Sequence, residues 1–258
     1  MKLLTNAGRI FYGSMLVGLA GQQIFYGDFR PVILPGWSAQ LPFVAYVAYP
    51  VSLLMIVAGT AIVLNRKALE AALFTGAVFL ILFLFGQVSY ELLVDPYPKH
   101  LGVWTNALKE LALAGGAFAV AGTVGPITQK SPLFQGVYYL VPFAGVFFSV
   151  TMALFGIDHF LYPDFVASLV PDWIPGHYFW TYFAGVALIG SGLAIIINVQ
   201  AKPAALLLGL MIFIWLIVLH IPRVLNAPVT DRGNELTSVF EALGFSGTAW
   251  MIAYVRKR

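Results

Sequence analysis

An aspartate and a histidine end a long apolar stretch, at Asp158 and His159, and Tyr162 follows one turn later. On a helix His159 and Tyr162 share a face, whereas Asp158 and His159 point about 100° apart, so only one of that pair faces the protein interior. A histidine in this position can accept a proton, donate a hydrogen bond to a ligand or bind a metal ion. The alternative is that both side chains are solvated at the depth of the lipid head groups.

A second polar pair lies in the segment LHIPR, where His220 and Arg223 are three residues apart and Pro222 separates them. The spacing places both side chains on one helix face, and the proline interrupts the local backbone hydrogen bonds. If this face turns inward, it can bind an anionic or carbonyl-bearing ligand. If it turns outward, the two side chains extend to the lipid head groups.

A third group lies in the segment TNALKELALAGG, where Asn106, Lys109 and Glu110 are spaced to form one polar stripe at the start of a helix. The segment LTSVFEALGFSG places Glu241 at a similar depth in the last apolar stretch. An unpaired carboxylate so far into an apolar helix is costly. The alternative to a ligand site is a structural ion pair, with Lys109 or Arg223 as the counter-ion.

Several other kinds of site are absent from the sequence. His159, His220 and Glu241 could form a metal site only by converging from distant segments, and no closely spaced ligand motif exists, so we predict no metal. With no cysteine, the chain has no disulfide or cysteine-ligated cluster. No phosphate-binding loop, nucleophile elbow or dinucleotide fingerprint occurs, and no basic run indicates nucleic-acid binding. Whether the chain is an enzyme stays open.

The composition identifies the elements that must position these groups. Hydrophobic residues make up 60% of the 258 residues and charged residues 10%, and the mean hydropathy of +0.87 is typical of an integral membrane protein, with the lipid bilayer as its partner. Backbone groups in lipid must bond to one another, so the spans are predicted to be helices. Eight spans are predicted, at residues 10–28, 42–64, 70–93, 104–124, 137–162, 177–198, 201–221 and 236–255.

The sequence also repeats itself. The segment QQIFYGDFRPVILPGW (22–37) aligns without a gap with DHFLYPDFVASLVPDW (158–173). Further matches follow in the same order: Tyr46 with Tyr182, Gly59 with Gly192, Asn65 with Asn198, Gly76 with Gly209, Gln87 with His220, Glu110 with Glu241, and Gly116 with Gly247. The predicted fold is therefore an all-α polytopic membrane protein of eight transmembrane helices, forming two tandem four-helix bundles in parallel orientation, 1–125 and 126–258.

Each predicted half carries a proline-containing segment between its first and second helices, at residues 30–42 and 166–176. Both segments are too short to cross a bilayer and too apolar to be fully solvated, so we expect each to lie at the interface over one end of its bundle. At these two matched positions only the second half has histidines, because Gln23 and Gln87 occupy the positions of His159 and His220. The replacement predicts one working site and one structural copy.

The basic residues predict the orientation of the spans, because lysine and arginine concentrate on the cytoplasmic side. One side would hold Lys2, Arg9, Arg66, Lys67, Lys130, Lys202, Arg256, Lys257 and Arg258. The other would hold Arg30, Lys99, Lys109, Arg223 and Arg232. Both termini are therefore expected in the cytoplasm, and the candidate site is expected toward the outer face.

The segments GIDHFLYPDF, VPDWIP and LHIPR resemble the DoxX-like family of small four-helix membrane proteins. The segment NALKELALAGG is similar to the last helix of that family at Asn106, Lys109, Glu110, Gly115 and Gly116. The resemblance implies a four-helix unit in a bacterial-type cytoplasmic (inner) membrane. It also implies a link to quinones, because some members accompany quinone-reducing oxidoreductases such as thiosulfate:quinone oxidoreductase, whereas broader relatives act in trafficking. The fused pair of units departs from the usual family pattern.

The leading functional hypothesis is a polar pocket in the second half that binds a small amphipathic ligand, a quinone or a lipid. In this hypothesis His159 and His220 exchange hydrogen bonds with the ligand, Arg223 supplies positive charge, and Glu241 orients a histidine or takes a proton. The other predicted ligand-binding residues are Asp158, Tyr162, Asn106, Lys109 and Glu110. With a quinone, the chain would be the membrane subunit of a complex whose electron-carrying centre belongs to a redox protein partner. The alternatives are a non-enzymatic scaffold or assembly factor and a small-solute or proton-coupled transporter.

Overall fold

The computed structural model describes residues 2–36, 43–126, 131–228 and 232–255, which are mostly helical and include no strand. Trp37, residues 38–42 of the first interfacial segment, Lys130 and the three C-terminal basic residues lie outside the described residues. The helices are α1 (Lys2–Tyr26), α2 (Val44–Val63), α3 (Ala68–Leu93), α4 (Leu101–Val124), α5 (Pro132–Leu161), α6 (Pro163–Leu169), α7 (His177–Ile196), α8 (Ala201–Asn226) and α9 (Arg232–Ile252).

Six of these helices are long and apolar enough to cross a membrane: α2, α3, α4, α5, α7 and α8. This is the pattern of a multi-pass membrane protein. The other two long helices, α1 and α9, are less apolar than those six, and they pack against each other along most of their length. Their lower hydropathy fits this contact, because the part of a helix surface that packs against protein need not be apolar toward lipid.

Two helices begin well before the residues at which the apolar pattern predicted them to begin, by more than the other helices do. Helix α1 starts at Lys2 rather than near residue 10, and α5 includes a short first helix, Pro132–Tyr138, ahead of its main helix from Ala144. Hydropathy marks the residues suited to the bilayer core, whereas backbone hydrogen bonding continues into flanking polar residues such as Thr5 and Asn6.

Glycines set the closest helix contacts, where small residues let two backbones approach. A Cβ atom on Gly247 of α9 would lie 2.6 Å from the carbonyl oxygen of Gly8 in α1. A Cβ atom on Gly59 of α2 would lie 2.6 Å from the carbonyl oxygen of Gly13. At Gly115 of α4 the same atom would meet α5, 2.9 Å from a carbonyl oxygen. The small residues that the sequence placed on α4 and α9 therefore lie at helix contacts.

The first and second predicted halves are packed into one another. Helix α1 contacts α9 far more extensively than α4, the last helix of its own half, and α5 contacts α4 far more extensively than α9. Helices α4 and α9 also touch each other. Side chains on α4 can therefore reach a site built mainly from the second half.

Local irregularities recur at matched positions in the two halves. Helix α3 contains a π-helical turn at Phe83–Gln87, and α8 contains one at Leu216–His220. The loops before these helices each hold two non-glycine residues with positive φ, at Asn65, Lys67, Asn198 and Gln200. Because π turns are rare and often lie at functional sites, their position at Gln87 and His220 draws attention to this pair.

Candidate functional site

An apolar cavity of about 270 Å³ lies among α5, α7, α8 and α9, and four of the predicted site residues line it. We call it the histidine cavity, after His159 and His220; the other two are Lys109 and Glu241. Its remaining walls include Met152, Phe155, Val166, Leu169, Val170, Trp180, Thr181, Ala184, Leu188, Met211, Ile212, Trp215, Leu219, Ser238, Ala242 and Phe245. Four polar groups from separate segments of the chain thus converge on one mainly apolar space.

Lys109 and Glu241 form an ion pair at the histidine cavity, with Nζ 2.7 Å from Oε2. Lys109 lies on α4 in the first half, and Glu241 lies on α9 in the second. The glutamate side chain is 4% exposed, and its second oxygen, Oε1, is buried with no hydrogen-bond partner. Lys109 is therefore the counter-ion of Glu241, and the second carboxylate oxygen has no protein partner.

The two histidines differ in their hydrogen bonding. The Nδ1 atom of His159 lies 2.7 Å from the carbonyl oxygen of Phe155, so Nδ1–H donates to it and Nε2 is the acceptor of the neutral ring. His220 lies at the end of the π turn, and its Nδ1 atom is buried without a partner. Together with Lys109 and Glu241, the histidines give the cavity both hydrogen-bond donors and acceptors.

A second cavity, of about 630 Å³, lies beside the first and holds two more of the predicted residues, Asp158 and Tyr162. His159 lines both cavities. His100, which the sequence analysis did not select, stacks its ring on Tyr162 with centroids 4.6 Å apart. Its place in a loop between apolar spans gave no spacing pattern that would reveal this contact. Oδ1 of Asp158 is buried without a partner.

Three predicted residues line none of the three cavities described in this structure. Arg223 binds Glu235 through two contacts, one of them 2.9 Å long between Nε and Oε2, so its charge is neutralised by a neighbour on α9. Asn106 is half-buried on α4. Glu110 is completely buried, and both of its carboxylate oxygens have no partner.

The predicted stripe of Asn106, Lys109 and Glu110 is therefore divided. Lys109 turns toward Glu241 on α9, whereas Glu110 is enclosed elsewhere, because adjacent helical residues point about 100° apart. Glu241 of α9 pairs with Lys109 of α4, and Glu110 is the residue of α4 that matches Glu241. The residue of α9 that matches Lys109 is Phe240, which has no charge, so α9 offers Glu110 no cation at that position. The two matched glutamates consequently have different surroundings.

In the first half, the side-chain amides of the two matched glutamines donate to protein atoms, whereas Nδ1 of His220 in the second half has no partner. Gln23 donates from Nε2 to Oγ of Ser52 at 2.9 Å, and Gln87 donates from Nε2 to the carbonyl oxygen of Pro31 at 2.8 Å. Val32 and Ile33, which follow Pro31, are each only 1% exposed. The interfacial segment of the first half is thus tied down onto its glutamines, whereas Val166 and Leu169 of α6 line an open cavity.

Replacing Gln87 with leucine should therefore destabilise the first half. The change removes a partly buried hydrogen bond and leaves the Pro31 carbonyl unpaired, and it also removes the unpaired Oε1 of Gln87, so we expect the free energy of unfolding to fall by about 1 kcal/mol. Equilibrium unfolding in mixed detergent micelles measures this. Ser89→Ala is the control, because the Ser89 hydrogen bond to the Leu84 carbonyl is exposed. Equal unfolding midpoints for Gln87→Leu and wild type would show that the hydrogen bond between Gln87 and Pro31 does not stabilise the protein.

Trp180 and Trp215 complete the histidine cavity and were not selected from the sequence as site residues. Their rings meet edge to face, with centroids 5.9 Å apart. Trp180 lies in the first turn of α7, and Trp215 lies within α8. The available signal was the position of Trp215 well inside an aliphatic span, away from the boundary where tryptophan is usually enriched.

Comparison with known proteins gives one partial similarity. A family model described as a domain of unknown function (DUF8561) matches residues 148–239. The matched stretch is less than half of the chain, and it includes His159 and His220 but ends just before Glu241. No curated protein and no solved structure matches the chain. The similarity thus lies over the segment that supplies most of the histidine cavity.

Proposed function

We propose that this protein binds one small amphipathic molecule in the histidine cavity, with a quinone as the best-fitting class. The observation that carries the proposal is the convergence of His159, His220 and the Lys109–Glu241 pair on one mainly apolar cavity. Ligand pockets in proteins have this character, with apolar walls and a few convergent polar groups that orient the ligand.

The polar groups favour a neutral head group over a charged one. Lys109 and Glu241 neutralise each other across 2.7 Å, so an added phosphate or ammonium would lack an opposite charge of its own. A quinone presents carbonyl acceptors, and its reduced form presents hydroxyl donors. Nε2 of His159 and Oε1 of Glu241 can accept from hydroxyls, whereas Lys109 can donate to carbonyls. One wall can therefore bind both forms of such a head group.

The cavity volume limits what fits. At about 270 Å³ it lies just below the range of about 300–1,000 Å³ that is usual for ligand pockets. A single substituted ring fits this space, whereas a head group with a long attached chain must extend beyond it. The size therefore supports a compact ring such as that of a quinone.

The arrangement proposed for the whole chain is two tandem four-helix units of DoxX-like type with eight membrane spans. The matched π turns ending at Gln87 and His220, and the matched positive-φ residues in the preceding loops, support a duplication. The distribution of basic residues supports cytoplasmic termini and a site on the outer side of an inner membrane.

The proposed role in the cell is that of a quinone-binding membrane subunit. A quinone supplies two-electron redox chemistry when bound, and the residues of this chain would hold and orient its ring and exchange protons with it. Among the described residues no group of three or more His, Cys, Asp or Glu side chains could hold a metal ion. In this proposal the electron-carrying centre belongs to a redox protein partner.

Glutamine substitutions at both cavity histidines test the binding proposal. His159→Gln with His220→Gln installs the residues found at the matched positions, Gln23 and Gln87. We expect the quinone that co-purifies per mole of protein to fall roughly tenfold or more, because each lost hydrogen bond contributes about 1 kcal/mol and 1.4 kcal/mol is tenfold. Mass spectrometry of small molecules extracted from the detergent-purified protein measures it.

The matched control is His177→Gln, which changes a histidine that lines none of the three cavities. This variant should keep its bound quinone, and all variants should be compared at equal thermal stability. An identical set of small molecules in wild type, double variant and control would refute the proposal. That result would favour the alternative in which the polar groups serve a scaffold or assembly factor.

A further inference from the structure

A third space, an apolar groove, adjoins the histidine cavity on the lipid-facing side of α7 and α8. This groove has a volume of about 780 Å³ and is lined by sixteen residues, of which Ser191 is the single polar one. The Ser191 hydroxyl donates to the carbonyl oxygen of Ala187 at 2.6 Å, so it presents no unsatisfied group to the groove. Val186 and Leu207 on the two walls are 62% and 66% exposed. The groove is therefore open toward lipid and apolar throughout.

The groove and the histidine cavity share three lining residues: Trp180, Met211 and Trp215. The two tryptophans meet at an interplanar angle of 83° and form the boundary between the spaces. The histidine cavity, with its four charged or imidazole groups, lies on one side of this boundary. The apolar groove lies on the other side. The two spaces together have the polarity profile of an amphipathic molecule.

We propose that the groove holds the apolar tail of the ligand whose ring lies in the histidine cavity, and that this ligand enters sideways from the bilayer past Trp180 and Trp215. The inference rests on the proposed function and specifies its ligand as a ring with a long hydrocarbon or isoprenoid chain. From Trp180 to Ser191 the groove follows α7 for about 16 Å, at a rise of about 1.5 Å per residue. That length is about half of the roughly 30 Å hydrocarbon core.

Gly190 keeps the groove open. A Cβ atom at this position would meet no heavy atom within 4 Å. At the matched position of the first half α2 carries Val57, whose side chain is 60% exposed. A larger side chain at residue 190 can therefore project into the groove without disturbing the helix contacts.

The position of the tail is a sharper test than affinity. Lipid tails are as apolar as the groove, so a chain gains little hydrophobic free energy by moving from bilayer to protein. We therefore expect the groove to fix where the tail lies relative to the ring. A quinone with a photoreactive group at the end of a ten-carbon tail reports this position directly, with the protein reconstituted in lipid nanodiscs.

The expected result is saturable labelling of α7 and α8 at groove residues such as Val186 and Leu207, removed by excess unlabelled tailed quinone. Gly190→Leu should reduce this labelling several-fold. Gly21→Leu is the matched control, because a Cβ atom there also meets nothing within 4 Å and the residue lies outside the groove. Mass spectrometry of peptides identifies the labelled positions.

A tailless quinone separates the two proposals. Its binding to the histidine cavity is followed by quenching of tryptophan fluorescence, and it should be the same in wild type and Gly190→Leu. If the tailless quinone binds but labels scatter over α2, α3, α7 and α8 alike and survive competition, the groove holds ordinary lipid and the inference is wrong. If the tailless quinone does not bind saturably, the proposed function fails and the inference fails with it.

Discussion

Replacing Lys109 with methionine is expected to lower the free energy of unfolding by about 3 kcal/mol, because the change leaves the Glu241 carboxylate buried without its partner. The methionine keeps the length and apolar surface of the lysine stem, so the loss reports the charge. The Glu241 side chain is only 4% exposed, whereas that of Lys109 is 21% exposed. Partial hydration of the lysine site places the expected loss at the lower end for a broken buried pair.

Removing both charges together should recover most of that loss. In Lys109→Met with Glu241→Leu no buried ion remains, and replacing a buried pair with apolar groups of similar volume is often neutral or stabilising. Equilibrium unfolding in mixed detergent micelles measures both variants. Lys99→Met is the control, since Lys99 is exposed. An unfolding curve for Lys109→Met that superimposes on wild type would show that the pair contributes nothing to stability.

Replacing Gly247 with leucine is expected to force α1 and α9 apart and to cost about 3 kcal/mol, the upper part of the range for overpacking. The added Cβ would lie 2.6 Å from the Gly8 carbonyl oxygen and 2.8 Å from Cβ of Phe11. A backbone carbonyl cannot rotate away as a flexible side chain can, so the helices themselves must move. Because the contact joins the first and last helices, the effect extends to both halves.

Hydrogen bonds join the opposite end of the same helix pair, and separation of α1 and α9 should weaken them too. Arg30 donates from its guanidinium to Asn234 at 2.8 Å and to Thr237 at 3.1 Å, and Gln22 donates to the Gly233 carbonyl at 2.9 Å. Gly136→Leu is the control, because a Cβ there meets nothing within 4 Å. Unfolding in mixed micelles compares the two variants. Equal stability of Gly247→Leu and Gly136→Leu would contradict the close approach of α1 and α9.

The sequence predicted the helical character of the chain and the residues on which the candidate site is centred. Apolar runs and the hydrogen-bonding demands of lipid require helices, and six meet the length and hydropathy needed to cross a membrane. His159 and His220 were identified because they are the positions at which matched segments differ in chemistry. This information is local, since it depends on periodicity, composition and the comparison of one segment with another.

Contacts between distant helices could not be predicted in the same way. The sequence left open whether Lys109 or Arg223 pairs with a buried carboxylate, and the structure assigns Lys109 to Glu241 and Arg223 to Glu235. It did not predict that Trp180 and Trp215 meet where the histidine cavity adjoins the groove. Each of these outcomes depends on which helices are neighbours and how they are rotated.

By itself, then, the sequence determined a helical membrane protein with matched segments, in which two matched positions are histidine in one copy and glutamine in the other. The tertiary structure alone decided that α4 of the first half supplies Lys109 to the cavity of the second, and that Glu110 is left buried without a partner. The physical reason is that close approach at Gly8, Gly247 and Gly115 interlocks the two halves. Such packing joins residues far apart in the chain, and no local pattern of the sequence records it.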